Sequence, residues 1–163
     1  MRREFAIAVL AACLLPPGAA CAQSAPTLLD AYARATTLLN YMTTYVGEAL
    51  LACAEKNVLT EDQAEARFKA YRERNAVLLE RAGAWSQDAE KRLQAQGDGR
   101  AAQRLAEDAS LTAMAAASAR AQGGIGKASD AGAACAAMMT AVESGRFDLS
   151  VNAEFVNLLK TNP

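Results

Sequence analysis

The sequence contains no histidine, and its 163 residues include only four cysteines, four prolines and one tryptophan, at a formal charge of −1. Each scarcity closes off a class of function. Without histidine the chain lacks the commonest metal ligand, the usual general base near pH 7 and the usual axial ligand of haem. The Cys-x-x-Cys-His signature of covalent haem is missing too, and ferritin-like di-metal centres, which need Glu-x-x-His pairs on facing helices, fail for the same reason. No Cys-x-x-Cys spacing occurs, which excludes a thioredoxin-like redox motif. The near-neutral balance builds no field that would gather nucleic acid or an anionic membrane surface.

Long apolar runs are also lacking. The longest, Phe5 to Leu15, spans about 16 Å as a helix, roughly half a bilayer core, so no transmembrane span is expected. This run follows Arg2 and Arg3 and precedes Pro16-Pro17-Gly18, and Ala20-Cys21-Ala22 fits a small-x-small cleavage pattern. Residues 1–22 therefore read as an export signal. A lipid anchor at Cys21 is the minor alternative, because Gly18-Ala19-Ala20 before it resembles a lipoprotein processing site with glycine where leucine is usual. Loss of Arg2, Arg3 and Glu4 with the leader leaves a formal charge of −2. The expected destination is the periplasm or the exterior of the cell.

What remains, residues 23–163, is short enough for one domain of fewer than roughly 200 residues. Alanine fills about a quarter of the whole sequence, so the 52% hydrophobic content overstates the area available for burial. Apolar residues recur at helical spacing, and no stretch alternates with period two for long enough to make a strand. The expected fold is all-α: an up-down-up-down four-helix bundle with a short C-terminal helix.

The first helix is expected over 28–56, with Thr27 and Asp30 as a capping box. Leu28, Tyr32, Ala35, Leu39, Met42, Val46, Ala49 and Cys53 form a heptad seam of coiled-coil type, flanked by Leu38, Tyr41, Tyr45 and Leu50. Thr60 to Gln63 is a second capping box and opens a helix over 61–96. Its seam contains Phe68, Tyr71, Leu78, Trp85 and one polar member, Asn75. That asparagine either fixes helix register or lies at the seam's edge and reaches water. Gly97-Asp98-Gly99 turns the chain into a third helix over 100–122, which Gly123-Gly124-Ile125-Gly126 is expected to break. Ser129 caps a fourth helix over 129–144, and Ser150 a last one over 151–160. The second half of the bundle is alanine-rich where the first is bulky, which predicts close approach of the later helices.

Two cysteines survive removal of the leader, and an even pair in an exported protein predicts one disulfide, Cys53 to Cys135. In an up-down-up-down bundle the first helix ends at the pole where the fourth begins. Cys53 would lie about 4.5 Å from its helix end and Cys135 about 9 Å from its helix start, depths close enough to meet.

No motif supplies a catalytic constellation. Serines and threonines have no histidine to activate them, and none of the five lysines outside the leader forms a Ser-x-x-Lys arrangement. Gly123 to Ser129 imitates a phosphate loop, but alanine follows Lys127 where Ser or Thr is required, and a helix precedes the glycines. Met138 and Met139 with Met42 or Met114 are soft-ligand candidates for Cu(I), against the ordinary use of methionine as core filler. Arg67, Tyr71 and Arg74 lie close along one helix and are candidates for an anionic group, although Glu65 and Glu73 beside them favour a solvated mixed surface. The tail residues Phe147, Leu149, Val151, Phe155, Leu158 and Leu159 are the candidate partner-binding element, either docked in a partner's groove or closing the end of their own bundle. The expected function is that of an exported, non-catalytic helical bundle acting through contacts with an envelope or secreted protein, with no cofactor. A small-ligand or Cu(I)-binding bundle is the alternative.

Overall fold

Only four of the 28 residues of helix α1, Leu28–Glu55, are charged, and they cluster toward its ends apart from Glu48. A helix apolar on nearly every side has to be enclosed by others. The computed structural model, which describes residues 27–161, places it so: no residue of α1 from Ala35 to Leu50 is fully exposed. The expected leader, with Cys21, lies outside the described residues. Around α1 stand α2 (Glu61–Arg74), α3 (Ala76–Ala95), α4 (Gly99–Ala121), α5 (Ala131–Glu143) and α6 (Ala153–Leu158), with no strand among the described residues. None of these helices is long and apolar enough to cross a membrane.

Side-chain pairings fix the direction of each helix. Along α1 and α4 the partners advance together, Asn40 bonding Ser110 at 3.0 Å and Tyr45 lying under Arg120, so these two helices run parallel. Tyr32 donates a hydrogen bond to Glu90, whereas Gly47 lies against Phe68, so α2 and α3 run back along α1. The chain of α5 also runs back, from Cys135 opposite Cys53 toward Phe147 against Tyr45. The buried face of α4 is Ala102, Ala113, Ala117 and Ala121, and this small-residue face makes α4 the most extensive neighbour of α1. Close approach of the alanine-rich third segment follows from those side chains.

Both threonine capping boxes form as their sequences require, Thr27 with Asp30 and Thr60 with Gln63. Four boundaries differ from the periodic reading. The helix expected over 61–96 is two, because Asn75 leaves helical geometry at φ −96°, ψ 3°. Its Nδ2 donates back to the Tyr71 carbonyl at 2.8 Å and to Asp148 at 3.2 Å, while its Oδ1 accepts from the Leu149 N–H at 2.7 Å. Asparagine competes with the helix ladder in this way, and here the competition is decided by a loop 73 residues downstream. Asn75 is the buried polar residue of the core and does not reach water.

The glycine run, in turn, does not break the third helix. Residues Gln122–Gly126 continue α4 as one π-helical turn, which swings Ile125 into the core. Asp130, not Ser129, caps α5, since its carboxylate accepts from the Ala133 N–H at 2.9 Å. Asn152, not Ser150, caps α6 in the same fashion, after a short 3-10 turn at Leu149–Val151.

The chain after α5 solves a length problem. At 1.5 Å per residue α1 is about 42 Å long and the 13-residue α5 about 20 Å, so α5 covers only half of it. One core cluster gathers Val46, Leu50, Cys53, Tyr71, Cys135 and Val142 at the α5 end. The other gathers Tyr32, Trp85, Leu93, Leu149, Phe155 and Leu158 at the opposite end, where the tail takes the place that a longer fourth helix would have filled. Gly145 makes the turn between them possible. Its φ is +75°, and a Cβ there would stand 2.9 Å from Asp148 Oδ2.

Candidate functional site

The tail residues singled out in the sequence go mostly into the protein's own core. Leu149 and Phe155 are fully buried, Leu158 and Leu159 nearly so, and the indole of Trp85 donates to the Thr161 carbonyl at 2.9 Å. The physical reason is the half-length α5, which leaves an apolar end that these residues close. Val151 remains 60% exposed, and Phe147 is half-buried beside Tyr45. As a docking peptide for a partner's groove the tail is therefore already occupied at Leu149, Phe155, Leu158 and Leu159.

The basic group on α2 finds its anions within the chain. Arg67 pairs with Glu143 at 3.4 Å and Arg74 with Asp148 at 3.2 Å, Arg74 also donating to the Val142 carbonyl. Tyr71, between them, is fully buried, and its hydroxyl has no hydrogen-bond partner among the described residues. Burial, then the charge of Asp148, pushes the Tyr71 phenol up to about 12, against a smaller lowering by Arg74. A raised phenol pKa means that the folded state prefers the neutral form. Its contribution is complete below the unfolded value near pH 10 and is lost as pH rises through about 12, at about 2–3 kcal/mol in all. Tyr71→Phe removes this loss, so urea denaturation at pH 7, 10 and 11 should show a shallower alkaline decline in the variant. At pH 7 the variant should be as stable as the parent or more so, because an unpaired buried hydroxyl is removed. An equally steep decline in both proteins refutes the assignment.

The methionines do not gather. Met138 is buried and Met139 partly buried in the α5-end cluster, Met42 packs against the opposite one, and Met114 is 45% exposed on α4. Cys53 and Cys135 are brought to bonding distance with Cα atoms 5.7 Å apart, two residues before the end of α1 and four after the start of α5.

Of the surface concavities, one is polar. Tyr32, Glu90, Gln94, Gln103 and Glu107 line a cavity of about 340 Å³, where burial and the adjacent Glu90 raise the Tyr32 phenol above its ordinary value. A second, open groove of about 510 Å³ runs beside Phe68 and Leu79 with Glu65, Lys69, Arg72 and Glu73 on its rim.

A further pocket differs in composition from both. Tyr41, Met42, Tyr45, Arg120 and Phe147 enclose about 230 Å³ where α1, α4 and the start of the tail meet. Tyr41 and Tyr45, one turn apart on α1, stack with centroids 6.2 Å apart and planes 3° from parallel. Phe147 meets Tyr45 edge-on at 5.4 Å, and the Arg120 guanidinium lies 5.7 Å above the Tyr45 ring. The charge of Tyr41, and then hydrogen bonding to Tyr45 and Tyr41, pushes the Arg120 pKa above its ordinary value; like any arginine, the group is a permanent cation. Tyr41 and Tyr45 stood out in the sequence as flanks of the first seam and Phe147 as part of the tail. Arg120 carried no signal, because its role depends on the parallel register of α1 and α4.

No family model, curated protein or solved structure matches this chain.

Proposed function

We propose that the chain is an exported, non-catalytic up-down-up-down helical bundle that acts by binding another protein in the periplasm or outside the cell, and that the Tyr41–Tyr45–Arg120–Phe147 pocket is the contact site. One observation carries the reading. Tyr, Phe, Met and Arg are the side chains enriched at the energetic centres of protein interfaces, and here all four types line one concave patch. The leader read at residues 1–22 supplies the route, and the Cys53–Cys135 pair suits an oxidising compartment. The fourth bundle position in this reading is shared by α5 and the tail.

A photo-crosslinking side chain placed at Tyr41 of the mature protein should trap a discrete adduct in native envelope extract. The same group at Lys91, whose side chain is 73% exposed on α3, should not. Equal labelling from both positions, or none from Tyr41, sinks the reading.

A further inference from the structure

Rimmed by aromatic carbon, the Arg120 cation is left without an acid. Among the described residues Arg120 forms no ion pair within 4.0 Å, unlike Arg34, Arg67, Lys69, Arg74 and Lys91. Its guanidinium carbon lies 5.7 Å from the Tyr45 ring centroid, and hydrogen bonding to Tyr45 and Tyr41 engages only part of its set of five N–H donors. The donors that remain on this exposed guanidinium, with no acid paired to it, suit a carboxylate. Beside it the Tyr45 and Phe147 rings and the Met42 thioether offer an apolar wall.

The dimensions select among ligands. Cavities for free small molecules run from roughly 300 to 1,000 Å³ and enclose most of the ligand, whereas about 230 Å³ here accommodates one large side chain entering from a partner. The site is also held in shape before anything binds. Tyr45 is fixed between Tyr41 and Phe147, the Asn152 amide contacts the Met42 sulfur at 3.5 Å, and Phe147 precedes Asp148, which Arg74 and Asn75 hold. A preformed pocket loses little side-chain entropy on binding.

Resting on the contact-site reading above, we infer that the partner presents an acidic–apolar peptide segment, its bulky side chain filling the pocket and the carboxylate of an adjacent Asp or Glu on the Arg120 guanidinium. The probes are the blocked peptides acetyl-Gly-Phe-Asp-Gly-amide and acetyl-Gly-Asp-Phe-Gly-amide, with their Asn counterparts and free phenylacetate as comparators. They are titrated into the mature protein while the Arg120 side-chain and Tyr45 and Phe147 ring resonances are followed by NMR. At least one Asp peptide should give saturable shifts at all three residues, about tenfold tighter or more than its Asn counterpart, since a charge-assisted pair is lost in the latter. Arg120→Gln should remove that preference while lowering the melting temperature by no more than about 2–4 °C, because the exposed side chain gives up only its contacts with the two tyrosines. Equal affinity for Asp and Asn peptides, or no binding by any, overturns the inference, and phenylacetate binding as tightly as the peptides overturns the choice of a polypeptide. The crosslink at Tyr41 separates the two levels. An adduct that persists in Arg120→Gln leaves the contact site standing and removes its acidic partner, whereas loss of the adduct in the parent removes both.

Discussion

Phe155→Ala should lower the stability of the isolated protein by about 3–5 kcal/mol, the range for emptying a buried phenylalanine site, and depress its melting temperature by about 10 °C or more. The residue has no solvent exposure and lies among Ala31, Tyr32, Ala35, Trp85, Leu93 and Leu158. Its neighbours cannot collapse into the vacancy easily. Four of them are alanines or aromatics at fixed helix positions, and the six-residue α6 that carries Phe155 is too short to hold its own shape without that contact. Val151→Ser provides the control, since Val151 is 60% exposed and its replacement should fall within about 0.5 kcal/mol of neutral. Chemical denaturation of both variants decides whether the tail is structural. If Phe155→Ala unfolds at the parental denaturant concentration, the tail is not docked in solution and the half-covered α1 must be closed by something else.

That result bears on how the fold is encoded. What was legible in the sequence is local or strongly periodic. The capping boxes at Thr27 and Thr60 rest on residues three apart, and the seam of α1 repeats over nearly four heptads, so both were readable and both form. The cysteine pair was readable because only two cysteines follow the expected leader, and alternating helices bring the chain back to the end of α1 near Cys135. The break at Asn75 was not legible, since its partners Asp148 and Leu149 lie 73 and 74 residues away and nothing near Asn75 announces them. The glycines at 123–126 carried a real signal that was resolved differently: a π turn satisfies their backbone and still delivers Ile125 to the core. The candidate pocket was half legible. Its aromatic residues stood out, but an exposed arginine on an alanine-rich helix is unremarkable until parallel packing sets it over Tyr45.

The other large effect belongs to the cysteines. Replacing both Cys53 and Cys135 by alanine should cost about 4 kcal/mol, the chain-entropy value for releasing a loop closed across a sequence separation of 82. Intact mass should rise by two hydrogens when denatured parent protein is reduced, and two free thiols in oxidised native material would refute the bond. Burial adds a second, sharper expectation. Both side chains are fully enclosed by Val46, Leu50, Ile125 and Val142 in one cluster, so a thiolate reductant has no access to either sulfur while the α5 end stays closed. Reductant added to native protein should therefore leave its circular dichroism and mobility unchanged for as long as α5 stays docked, and the reduction rate should follow the opening of α5 as denaturant is raised. Reduction that is rapid in native buffer and insensitive to denaturant would show that α5 is not held where the α1–α5 pairing puts it. The ordering of the two ends then follows from covalent and non-covalent closure: α5 is pinned to α1 by sulfur at one end, while the tail is held at the other by non-covalent contacts, chiefly the burial of Leu149 and Phe155 and the hydrogen bonds of Asn75 to Asp148 and Leu149. In the Cys53→Ala, Cys135→Ala protein, hydrogen exchange should accelerate first along α5, whereas in Phe155→Ala it should accelerate first along α6 and the start of α1.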